Sequence, residues 1–217
     1  MSGDPIFLRP PDARALFLFA HGAGAGIRHP FMESLARKLA DRSIATWRFE
    51  FPYMTVGRRL PDRPAVLVNA VRRAAMEAHD AAPELPFFAG GKSMGGRMTS
   101  TAAAESPLPG VRGFVFLGFP LHRPGSDSNA RADHLEAVPL PMLFLQGTRD
   151  RLAEIDRIER VCEKLGPRAV LRQVQGADHG FTVLKRSGRS DDGVRRELAE
   201  LTSQWIFERL TDVPLGG

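Results

Sequence analysis

Six short apolar runs, separated by longer stretches of helical period, constrain this chain more than any other feature. They are Ala15–Ala20, Ile44–Phe49, Pro86–Gly90, Gly113–Leu117, Pro141–Gln146 and Ala169–Val174. A strand with one wet face alternates apolar and polar residues. Near-continuous apolar runs belong to strands covered on both faces. The stretches between them carry helical stripes. Phe31, Leu35 and Leu39 share one face of 31–41, and Leu67, Val71, Ala74 and Ala78 share a face of the segment that opens near Pro64 and stops before Pro83. Ile155, Ile158, Cys162 and Leu165 stripe 152–165. Val194, Leu198, Leu201 and Trp205 stripe a last helix, with Ser190 placed to cap it and Asp191 and Asp192 in its first turn. Repeated strand–helix order predicts an α/β fold with a mostly parallel sheet of six or seven strands and helices on both faces. Ile6–Leu8 is an expected extra edge strand. The longest irregular stretch, 119–139, is too short for a separate cap domain, so one domain over 1–217 is expected.

Composition narrows the class. Hydrophobic residues make up 43% and charged residues 25%, which excludes wholesale disorder. No apolar run approaches the roughly 18 residues a membrane helix needs, and no secretory leader is visible, so a cytoplasmic protein without a membrane partner is expected. The single cysteine, Cys162, excludes an internal disulfide and a cysteine zinc cluster, and it falls on an apolar stripe. No metal-ligand spacing is present, so neither metal nor cofactor is expected. Net charge is +5, carried by 26 Arg and 4 Lys, but these are interspersed with acids and accompany no nucleic-acid motif. Nucleic acid is therefore not an expected partner. A rim for anionic substrates built from Arg48, Arg58, Arg59, Arg97, Arg149, Lys185, Arg186 and Arg189 is the functional alternative to a solvated surface.

The segment Gly90-Gly91-Lys92-Ser93-Met94-Gly95-Gly96-Arg97 reads as strand, tight turn, helix. It contains Gly91-x-Ser93-x-Gly95. In such a turn strand and helix nearly touch, so the positions two away from the serine must be small, and the serine is lifted above the sheet edge at the positive end of a helix. A P-loop reading of Gly91-Lys92-Ser93 fails because position 86 is Pro86. A dinucleotide fingerprint in Gly22–Gly26 fails because positions 27 and 29 are Ile27 and His29.

A serine nucleophile needs a base, and the base needs an orienting acid. Asp150 follows the apolar run ending at Gln146-Gly147, 57 residues after Ser93, and the glycine-flanked His179 follows the last run, 29 residues further on. Both stand just past expected strand C-termini, where open parallel sheets gather ligands. Asp178 and Asp127 remain competing acids. The oxyanion donors expected are the amides of Met94 and Ala23, with Gly24 as the fallback. Lys92 is placed either to hold an acidic substrate group or to pair with Glu50. Gly24, Lys92 and Phe119 are the candidate substrate contacts.

These residues resemble the α/β-hydrolase superfamily, and within it a compact bacterial family of hydrolases akin to the testis-expressed and NSL-complex hydrolase-like proteins, with dienelactone hydrolases also similar. The stretches that carry the resemblance are His21–Gly26, His29–Met32, Arg48–Met54, Gly90–Arg97, Gly118–His122, Gln146–Asp150 and Asp178-His179. The resemblance implies the hydrolase fold and a triad at Ser93, Asp150 and His179. Departures fall at Phe119, Arg123 and Arg151-Leu152-Ala153, where the family often has Tyr, Pro and a Pro-Phe-Gly turn. The expected function is a serine hydrolase acting on a small ester, thioester or activated amide. The alternative is a binding or scaffold protein that keeps the hydrolase fold without catalysis.

Overall fold

The computed structural model describes residues 3–123, 125 and 128–211. In chain order the elements are β1 (Ile6–Leu8), β2 (Ala15–Ala20), α1 (Pro30–Ala40), β3 (Ile44–Arg48), α2 (Pro52–Thr55), α3 (Pro64–Ala81), β4 (Phe87–Lys92), α4 (Met94–Glu105), β5 (Val111–Leu117), β6 (Met142–Gly147), α5 (Ile155–Leu165), β7 (Ala169–Val174) and α6 (Asp191–Thr211). Among the described residues seven strands make one sheet in the order β1-β3-β2-β4-β5-β6-β7. All neighbours are parallel except the edge pair β1 and β3.

The apolar runs are strands because both faces of the sheet are covered. Along β2, Leu16, Leu18 and Ala20 enter one core, while Ala15, Phe17 and Phe19 enter the other. In β5 the same alternation separates Phe114 and Phe116 from Val115 and Leu117. Helices α3, α4 and α5 cover the first face, and α1 and α6 the second. Each fully buried Leu or Phe contributes about 1.5–3 kcal/mol of hydrophobic stabilisation. A polar substitution inside these runs therefore costs the fold on whichever face it lands. Cys162 lies in the first core, where burial pushes its thiol up to about 12. Ser190 caps α6, its hydroxyl accepting from the Gly193 amide at 3.1 Å.

Several boundaries differ from the sequence expectation. β4 runs two residues further, through Gly91 to Lys92, because both of its glycines stay paired with β2 and β5. α5 begins at Ile155 rather than Leu152, because the Asp150 carboxylate captures the Leu152 amide and holds that segment as a turn. The one-turn helix α2 was not anticipated. Between β5 and β6 the described residues carry one 3-10 turn, Asp133–Ala137, and no cap domain. Among the described residues no helix is long and apolar enough to cross a membrane.

Candidate active site

Ser93 sits at the N-terminus of α4 with φ 50° and ψ −115°, a conformation L-residues rarely adopt. Such strain costs on the order of 1–3 kcal/mol and persists only where the surroundings enforce it. The enforcing contact is visible. A β-carbon on Gly91 would lie 2.2 Å from the Ala20 carbonyl oxygen, and one on Gly95 would lie 2.4 Å from the same atom. The two glycines of the motif are thus required by one close approach of β2 to the turn. The Ser93 amide donates to Leu117 O at 3.0 Å, which ties the turn to β5.

Asp150 and His179 arrive from the neighbouring strand ends. The loops after β6 and β7 are stitched together by Arg149 N to Ala177 O at 2.9 Å and Thr148 N to Val174 O at 3.2 Å. His179 Nδ1 donates to Asp150 Oδ2 at 2.7 Å, and the Ser93 hydroxyl donates to His179 Nε2 at 2.8 Å. The Asp150 carboxylate is fully buried, while the imidazole is about a quarter exposed. Gln146, at the end of β6, donates to Asp150 Oδ2 at 2.5 Å and accepts from the Phe119 amide at 3.0 Å. Leu152 N donates to Asp150 Oδ1 at 2.8 Å. The acid is therefore held on both oxygens, with Arg151-Leu152-Ala153 as the turn that follows it.

Asp178, one competing acid, is spent on its own loop, accepting from the Gly180 and Thr182 amides at 2.9 Å each. Asp127, the other, lies outside the described residues. The adjacent Phe181 is buried and stacks on Phe31 with centroids 5.7 Å apart, anchoring the His179 turn to α1.

A cavity of about 330 Å³ opens in front of Ser93 and His179. Ala23, Phe31, Met32, Lys92 and Leu152 line it, together with His29. From the sequence His29 carried no assigned role. The structure has it capping α1, accepting from the Phe31 amide at 3.2 Å, at the cavity wall. Gln146, Met32 and Leu152 were also missed. The available signal for Gln146 was a polar residue ending an otherwise apolar strand four positions before the acid.

Several candidate contacts are rearranged. The Gly24 amide donates to Tyr53 Oη at 3.1 Å, so it is occupied and does not serve as the fallback oxyanion donor. Phe119 is buried among Phe116 and Phe144, 5.2 Å and 5.8 Å away between centroids, so its ring belongs to the core and not to a substrate contact. Lys92 does not pair with Glu50, whose carboxylate instead lies 3.2 Å from His21 Nε2 and accepts from Ile27 N at 3.0 Å. The anionic rim also dissolves in part. Arg48 is buried and bonded to Ile27 O, Arg58 pairs with Asp62, and Arg189 pairs with Glu197. Lys92 keeps its place on the cavity wall, where burial lowers its ammonium to about 8 against the opposing pull of Asp150 and Asp178.

A second serine–histidine contact lies one turn or two along α4. Ser100 Oγ and His134 Nε2 are 2.8 Å apart. Burial, reinforced by Arg97 and opposed by Asp133, lowers His134 to about 4, and among the described residues no carboxylate hydrogen-bonds its other ring nitrogen.

A seven-stranded sheet of this order, with a serine on the strand–helix turn after β4, defines an α/β hydrolase. Residues 13–207 match the family described as the alpha/beta hydrolase domain, and the chain belongs to that family. Solved structures agree in fold. A dienelactone hydrolase from Anabaena variabilis is 23% identical with a TM-score of 0.74, covering 94% of this chain and 90% of that one. A lidless α/β serine hydrolase from Xanthomonas campestris is 19% identical with a TM-score of 0.71, covering 93% and 88%. A serine hydrolase homologue from Coxiella burnetii is 16% identical with a TM-score of 0.71, covering 92% and 89%. At these identities the likeness is one of fold.

Proposed function

We propose that this chain is a single-domain serine hydrolase that cleaves a small ester or thioester through an acyl-enzyme. One observation carries the reading: an unbroken hydrogen-bonded chain from Ser93 through His179 to a fully buried Asp150, opening onto a cavity. Ser93 Oγ attacks the carbonyl carbon as His179 Nε2 takes its proton. Asp150 orients the ring and stabilises the imidazolium that forms. The Met94 and Ala23 amides receive the oxyanion. Two features support that role. Met94 is the first residue of a 12-residue helix, whose positive end favours the developing charge. Ala23 lies on the cavity wall. His179 then returns the proton to the leaving group, and water, activated by the same nitrogen, releases the acid.

The apolar wall of Phe31, Met32 and Leu152 suits a short acyl or alkyl group. The Ser100–His134 contact does not rival the first. Among the described residues its histidine hydrogen-bonds no orienting acid, and neither residue lines the cavity.

A fluorophosphonate probe tests the reading. It labels the native protein at Ser93, and Ser93→Ala abolishes labelling. Labelling that persists in the variant refutes the assignment. Hydrolysis of p-nitrophenyl acetate that is equal in native protein and variant favours a non-catalytic binding role.

A further inference from the structure

Among the described residues Lys92 is the one cation of the cavity wall that the hydrolytic steps leave unused. It is the last residue of β4, and alternation from Phe88 sends its side chain to the α1–α6 side of the sheet. The stem runs beside Gly22, where an added β-carbon would meet Lys92 Cγ at 3.6 Å. The ammonium lies over the Phe181 ring, 5.6 Å from its centroid. A β-carbon built on Gly118 would meet Nζ at 3.3 Å and His179 Nδ1 at 3.5 Å, so ammonium and imidazole flank the same point.

No ion pair or hydrogen bond holds this ammonium among the described residues. Neither of the two carboxylates whose field reaches it pairs with it among the described residues. Asp150 is bound by Gln146, Leu152 N and His179, and Asp178 by two amides of its own loop. A partly desolvated cation held by an aromatic ring but by no anion is unfavourable in the free protein, and an incoming anion relieves that cost. The charge available is a single one. A carboxylate is neutralised by one ammonium, whereas a phosphate dianion would keep excess negative charge beside Asp150.

We infer that Lys92 binds a carboxylate carried by the substrate, so that the site selects monoanionic esters over neutral ones. This rests on the hydrolase reading above. The cavity then divides its labour: Phe31, Met32 and Leu152 take the hydrocarbon part, and Lys92 supplies charge selection.

The test compares anionic esters with neutral ones of matching shape, followed by proton release at constant pH. Monoethyl succinate is set against ethyl 4-methylpentanoate for an acyl-side carboxylate. Carboxymethyl butyrate is set against isobutyl butyrate for one on the alcohol side. In the native protein kcat/KM for at least one anionic ester exceeds that of its neutral partner by tenfold or more, and Lys92→Met collapses that ratio to about one, mainly through KM. Lys92→Arg restores part of it. A purely structural lysine lowers both esters together and leaves the ratio unchanged, which overturns the inference. So does a native protein without anionic preference that is nevertheless labelled at Ser93 by the fluorophosphonate. Absence of both labelling and turnover sinks the hydrolase reading itself. Lys92→Gln, with its melting curve, guards against misfolding of the Met variant.

Discussion

Among the described residues two serine–histidine contacts have the same length, 2.8 Å, and their difference shows what a hydrogen bond alone does not supply. Ser93 stands on a strained turn at a helix N-terminus, faces a cavity, and reaches a histidine backed by a buried acid. Ser100 lies inside α4, where its hydroxyl donates to Arg97 O, and among the described residues no carboxylate hydrogen-bonds its histidine. In the second pair burial and Arg97 oppose protonation of the ring, which is the event a general base must undergo. The first pair has an acid placed to stabilise that charge, and space for a substrate.

The contrast breaks most visibly at the nucleophile. Ser93→Ala lowers kcat by about 10⁵–10⁶-fold, since removing one member of a triad costs nearly as much as removing all three. Single-turnover kinetics checks this, and a loss below tenfold is incompatible with the role given to Ser93. Next comes the acid. Asp150→Asn keeps the geometry but favours the wrong ring tautomer, and kcat falls about 10⁴-fold. A variant retaining a tenth of native activity would move the orienting role to another carboxylate.

A smaller effect belongs to the second pair and appears in stability. The folded protein holds His134 near 4, below its ordinary value of 6.5. Protonation therefore favours unfolding. The stability that neutral His134 maintains is whole above pH 6.5 and declines as pH falls toward 4, by up to about 3 kcal/mol. His134→Gln flattens that decline in urea unfolding. A difference between native protein and variant that is constant across this range contradicts the argument. The smallest effect is at Ser100: Ser100→Ala leaves kcat/KM within about threefold, as a residue outside the machinery should. A hundredfold drop would make the second contact part of the site.

The elements of the sheet were legible because they answer to local rules. Phe17 and Leu18 point to opposite cores by strand alternation alone, and Gly91 and Gly95 declare a turn in which no β-carbon fits. Chain order and strand-end position singled out His179. The acid was less legible, because the spacing of the sequence left Asp150, Asp178 and Asp127 as competitors. The described structure separates the first two by what their oxygens touch. The wall of the cavity was least legible. Met32, His29 and Leu152 come from segments about 120 residues apart, and no periodicity announces that α1 and the Asp150 loop meet.

By itself the order of residues determined the strand–helix alternation, the turn that bears Ser93 and the family to which the chain belongs, because these depend on sterics and burial within a few residues of one another. Only the tertiary structure decided that Phe119 is core, that the Gly24 amide is taken by Tyr53, that Glu50 turns to His21 and that the Lys92 ammonium lies over the Phe181 ring. Each of those outcomes is a competition among groups distant in the chain for the same few ångströms, and hydrogen bonds and ion pairs are won by proximity, which sequence spacing does not measure.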